Sequence, residues 1–139
     1  MREILFRGKT VLGKWIEGDL LQYLVWGKVH IVRNYKGAGG QEVIPETVGQ
    51  YTGLTDKNGK KIFEGDIVRF PDSEMFPSSE ETINEGFVDW DEETMCFYFT
   101  NRFSVDMEDF YVDNGKMVDV VVIGNIHDNP ELLKGGVQE

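Results

Sequence analysis

"QYTGLTDKNGKKIFEGDIVRF", residues 50–70, is the stretch whose reading decides the fold. Its glycines, aspartates and lysines suggest either a phosphate-binding loop or a folding device, and the two make different demands. A phosphate-binding loop needs its glycines between a strand and a helix, with Lys followed by Ser or Thr. Here Gly59-Lys60-Lys61 runs into Ile62 and Phe63, which are strand residues. Asn58-Gly59, in contrast, is a hairpin signal, because both residue types tolerate φ > 0, and the Asp56 carboxylate can accept hydrogen bonds from the backbone ahead of it. The stretch therefore predicts a strand, a turn at Asp56–Gly59, a bend at Gly65-Asp66 and a new strand from Ile67.

The same grammar extends in both directions. Apolar residues recur with period two or in short runs bounded by turn residues, which is the pattern of strands and hairpins. Towards the N-terminus, residues 3–8, 14–20, 20–27 and 28–34 read as strands, with a turn at Gly27-Lys28 and a glycine-rich loop over 35–42. Towards the C-terminus, residues 71–84 form a long polar excursion with two prolines and three serines. "EGFVDWD", "DEET" and "MCFYF" then predict a hairpin whose second strand is apolar on both faces and deeply buried. Asn114-Gly115 predicts another turn, followed by a Val/Ile-rich strand expected at the centre of a sheet. In "HDNPELL", Asn129 can cap and Pro130 suits a first helical position, so a short C-terminal helix is expected, docked by Leu132 and Leu133.

At 139 residues, with 40% apolar and 12% aromatic side chains, the chain has the size and core material of a single domain. That domain spans 1–139, with an N-terminal strand segment (1–50) and a core and C-terminal segment (51–133). No run of roughly 18 apolar residues is present, so no membrane span is expected. A single cysteine, Cys96, excludes an internal disulfide framework and fits a reduced, cytoplasmic setting.

The formal charge of −11 is unevenly spread. Residues 1–36 hold seven of the 14 Lys/Arg and three of the 25 acids, whereas nine carboxylates and no cation lie between Phe70 and Asn101. As a whole the molecule repels nucleic-acid phosphates and acidic membranes.

Three segments, "MREILFRG", "VGQYTGLTDKNGKKIFEGDIVRF" and "VIGNIHDNPELL", resemble in order and spacing the YopX protein family, found in phages and prophages. The resemblance implies a mainly β fold, an SH3-like small barrel built from hairpins, and supplies no catalytic residues to carry over. The residues that carry it are architectural by type: Gly53, Asn58, Gly59, Gly65 and Asp66 for backbone geometry, and Asn129-Pro130 for the helix start.

Each candidate chemistry meets a plainer explanation. Glu64, Asp66 and Asp56 could pair as general acid and base, but solvated turn and strand-edge acids are the favoured reading. Cys96 lies in a run so apolar that a core thiol is the simpler reading. His30 and His127 have no local partner that suggests a dyad or a zinc site. No cofactor or metal is expected.

Lys14, Trp15, Trp26, Lys28 and Arg33 could bind a nucleic acid or another partner, since small barrels stack bases on aromatics beside a basic groove. Glu74, Glu80 and Glu81, in the acidic excursion, could instead present carboxylates to a nucleic-acid-binding protein. Polarised charge also allows one copy's basic part to meet another's acidic part, giving a homo-oligomer. These observations favour a non-enzymatic, phage-associated protein-binding or assembly module whose partner is a host or phage protein. A nucleic-acid-associated barrel is the alternative, with nucleic acid the less favoured partner and an enzyme third.

Overall fold

The computed structural model describes residues 3–23, 27–32, 40–71, 83–100, 105–107 and 110–133. The chain falls into two compact units, Met1–Tyr51 and Thr52–Glu139.

In the first unit, β1 (Phe6–Lys9) pairs antiparallel with β2 (Trp15–Tyr23), in a register running from Phe6 opposite Gly18 to Lys9 opposite Trp15. Next come β3 (Lys28–Val32) and β4 (Gln41–Val43), each antiparallel to the strand before it. Pro45–Thr47 then make one 3₁₀ turn, and β5 (Gly49–Thr55) begins by pairing with β1 at Gly49 and Gln50. Alternation explains the packing: Val29 and Ile31 point inward from β3 and join Ile16 and Val43, with Phe6, Leu20 and Val48 around them.

In the second unit, the rest of β5 pairs with β6 (Lys61–Phe63). Then β7 (Asp66–Pro71), β8 (Ile83–Asp91), β9 (Cys96–Thr100) and β10 (Val105–Asp106) follow by successive antiparallel pairing. A short hairpin, β11 (Val112–Asp113) and β12 (Lys116–Met117), turns at Asn114-Gly115 and meets β5 in parallel at Thr55. The last strand, β13 (Val121–Asn125), pairs with β7 across a bulge between Val122 and Gly124. The order of this five-stranded sheet is β10-β9-β8-β7-β13. Its core holds Ile62, Val68, Val88, Met117, Val120 and Val122 around three mutually packed rings: Phe70, Phe99 and Phe110, with centroids 4.9–5.6 Å apart.

Four expectations need correction. The fold is mainly β, but among the described residues no pairing joins β10 to β13, so the sheet stays open where an SH3-like barrel would close. The parallel step between β12 and β5 makes the pairing mixed. The Val/Ile-rich strand β13 stands at the end of its sheet, not at the centre. In β9 only Phe99 is fully buried; Cys96, Phe97 and Tyr98 are half-buried, and Met95, expected in the strand, belongs to the turn. At the C-terminus, Pro130–Leu133 forms four residues of 3₁₀ turn where a short helix was expected. No helix among the described residues is long and apolar enough to cross a membrane.

Candidate functional site

Two carboxylates of 50–70, Asp56 and Asp66, are buried and consumed by the fold, where solvated acids were expected. Asp56 is 1% exposed, and its carboxylate accepts three backbone N–H groups: Oδ1 from Asn58 and Lys60, Oδ2 from Val122, each at 2.9 Å. The backbone closes the same turn, with Lys60 O accepting from Asp56 N at 2.7 Å and Asp56 O from Gly59 N at 3.0 Å. That is the pattern of a type I turn followed by a left-handed residue. Gly59 supplies it with φ +83°, whereas Asn58 is not left-handed.

Asp66, also 1% exposed, accepts from Phe63 N at 2.8 Å through Oδ2. The bend at Gly65 (φ +90°) donates to Val88 O and accepts from Ile126 N. Gly53, at φ +92°, is likewise a backbone position within β5. The closing segment "GNIHDN" is therefore tied directly to "EGD". Within that segment Asn125 Oδ1 accepts from His127 N and Asp128 N, while Asn129 Oδ1 reaches back to Asn125 N. Asn129 thus braces the turn before it, and Pro130 opens the 3₁₀ turn.

The other candidate residues are placed as follows. Trp15 is half-buried, with the Arg7 guanidinium 4.9 Å from its ring centroid and Lys9 Nζ at 6.0 Å. Lys14 is exposed just before β2, and Lys28 lies 3.9 Å from Glu42 across β3–β4. Lys14 and Trp15 are adjacent in the chain, while Lys28 belongs to another strand pair. Trp26, Arg33, Glu74, Glu80 and Glu81 lie outside the described residues. Cys96 is half-buried and its Sγ donates to Thr94 O at 3.3 Å. Among the described residues, no three His, Cys, Asp or Glu side chains converge as metal ligands would.

What residue-by-residue reasoning missed are two hairpin tips. Between β1 and β2, Val11 is 78% and Leu12 93% exposed. The tip is tightly bonded: Thr10 N donates to Lys14 O, Gly13 N to Thr10 O, and Lys14 N to Thr10 Oγ1. Gly13 closes it at φ +89°, a conformation that costs glycine no steric penalty. Exposed Lys14 flanks the tip on one side, and on the other Lys9 Cε lies 3.9 Å from where a Cβ on Gly13 would stand.

Between β8 and β9, Met95 is 67% exposed beside exposed Glu92 and Glu93. Asp91 organises this second tip: its main-chain O accepts from Met95 N, Oδ1 from Glu93 N, and Oδ2 from Thr94 Oγ1, all within 3.0 Å. The signal for the first tip was present as "TVLG", two large apolar residues where a turn belongs. The second had no comparable signal, because "MCFYF" reads as strand throughout.

Comparisons with known proteins agree with this architecture. Protein EF1440 from Enterococcus faecalis, known from its crystal structure, has a similar fold, with a TM-score of 0.55 at 22% identity over 96% of this chain and 100% of that one. No curated protein matches the chain. The family model described as YopX protein matches residues 5–134, taking in both hairpin tips and the interlocked turns, and the chain belongs to the YopX family.

Proposed function

We propose that this protein is a non-enzymatic interaction module, a phage- or prophage-derived protein that binds or assembles other proteins in the cytoplasm. The observation that carries this reading is the pair of hydrogen-bonded hairpin tips that hold Val11, Leu12 and Met95 out to solvent. Large apolar side chains on a rigid support, rimmed by charge, are what a protein interface needs: little freedom is lost on docking, and the apolar area removed from water supplies the driving force. The buried aspartates of the central motif support the reading from the other side. Asp56 and Asp66 already accept backbone N–H groups, so their carboxylates serve the turns.

The nucleic-acid alternative draws on Lys9, Lys14 and Trp15. The Trp15 ring already carries Arg7 over its face, which leaves less of it for a base to stack on. A test compares the full-length protein with its Leu12→Asp variant as bait in a bacterial lysate treated with nuclease. A protein retained by the first and lost by the second supports the module. Nucleic acid recovered without nuclease, and no protein dependent on Leu12, would favour the alternative.

A further inference from the structure

We propose that the chain self-associates head to tail, with the Val11-Leu12 tip of one copy docking on the Met95 tip of another. This rests on the interaction-module reading and names one partner for it, a second copy of the same chain.

The first observation is backbone strain. Met95 sits at φ +58°, the left-handed region. Every other described residue there is glycine or, once, asparagine: Gly13, Gly27, Gly53, Gly59, Gly65, Gly115 and Asn114. Among the described residues, only position 95 holds a long side chain in a conformation that glycine would adopt without penalty. That side chain is exposed, so packing inside the protein does not account for it. Strain maintained on an exposed residue points to use of the residue itself.

The second observation is complementarity. Methionine is unbranched and polarisable and adapts to irregular apolar partners, which suits it to receive branched Val11 and Leu12. Charge agrees with this pairing. The Met95 tip is rimmed by exposed Glu92 and Glu93, and the Val11-Leu12 tip by exposed Lys14 with Lys9 alongside. An apolar centre with opposite charges at its rim is the usual anatomy of an interface. A like pairing of either tip with itself would oppose equal charges instead. The contact is heterologous, each copy offering one tip of each kind, so copies add to one another until a ring closes or growth continues. One small patch per contact makes the association weak and dependent on concentration.

The test is sedimentation velocity of the full-length protein over a concentration series, with two surface variants. Leu12→Asp disables the basic tip and Met95→Asp the acidic one, each replacing the apolar centre with a charge of the same sign, so that the two altered tips do not attract each other. Wild type should sediment faster as concentration rises, while each variant alone should stay monomeric with an unchanged circular dichroism spectrum. Mixed in equal amounts, the variants retain one working tip each, so they should form a species of twice the monomer mass and nothing larger. Met95→Gly should raise Tm and weaken wild-type association together, a combination that a purely structural role for Met95 does not produce.

A wild type that is monomeric at all concentrations, folded variants that associate as wild type does, or a mixture that stays monomeric would each overturn the pairing. If the pairing fails while the lysate bait still holds a protein through Leu12, the module reading survives it. If the bait yields nucleic acid alone, both fall.

Discussion

Replacing Asp56 with asparagine changes one oxygen into an NH₂ group while keeping shape and volume, and it should destabilise the protein strongly. The carboxylate is buried and both of its oxygens are engaged: Oδ1 takes Asn58 N and Lys60 N, and Oδ2 takes Val122 N. An asparagine can keep its oxygen towards the turn, which places NH₂ against the Val122 N–H, or flip and oppose two N–H groups instead. In the better case one buried backbone donor loses its acceptor, at about 1–3 kcal/mol, and the new amide hydrogen facing it costs a similar amount. Removing a buried charge returns part of this. The net expectation is about 2–4 kcal/mol, a large share of the roughly 5–15 kcal/mol by which a domain is stable. For a chain of this length that corresponds to a fall in Tm of about 10 °C. Thermal and urea unfolding would measure it, with Lys57→Ala as the control, since that side chain is exposed in the same turn and its loss should matter by less than about 0.5 kcal/mol. Hydrogen exchange adds a local readout, because the Val122 amide should lose protection before its neighbours in β13. If Asp56→Asn and Lys57→Ala are equally mild, the carboxylate does not hold the turn to β13 and the reasoning fails.

Three further outcomes are expected. Gly59→Val should cost about 2 kcal/mol and Lys60→Ala almost nothing by urea unfolding, because space around Gly59 is open and its left-handed φ alone penalises the β-branched residue; equal, small losses would refute the turn geometry. Phe99→Ala should cost about 3–5 kcal/mol, since it removes a fully buried ring that touches both Phe70 and Phe110; a loss under about 1 kcal/mol would mean the three-ring core is misassigned. Met95→Gly should stabilise by up to about 1 kcal/mol, the relief of about 1–2 kcal/mol of left-handed strain exceeding the entropic cost of glycine. A drop in Tm would show that the Met95 side chain makes contacts within the protein that outweigh the strain.

The central turn was legible because its causes are local. Asp56 reaches Asn58 and Lys60 within four residues, and Gly59 answers a demand for φ > 0 that arises in the turn itself. The same holds for Asn114-Gly115, where both residues are left-handed. Asn129 shows where local reasoning stops. Its residue type fits a helix cap, but its side-chain oxygen accepts from Asn125 N, four residues back, and a 3₁₀ turn, not an α-helix, follows. The candidate site was less legible still. Lys14 and Trp15 were singled out for charge and aromaticity, while their neighbours Val11 and Leu12, ordinary core residues by type, proved to be exposed as well as Lys14.

By itself the sequence determined a mainly β chain, its family, and the turns at Asp56–Gly59 and Asn114-Gly115, since these depend on alternation and on φ preferences that each residue carries wherever it lies. Only the tertiary structure decided that β13 ends its sheet, that β12 runs parallel to β5, that the described strands leave the sheet open, and that Met95 leaves the strand to stand in solvent. The bond from Val122 N to Asp56 spans 66 residues and has no trace in either segment taken alone. Strand order and exposure follow from all the pairings at once, because each strand's place is set by which edges and apolar faces the others leave to be covered.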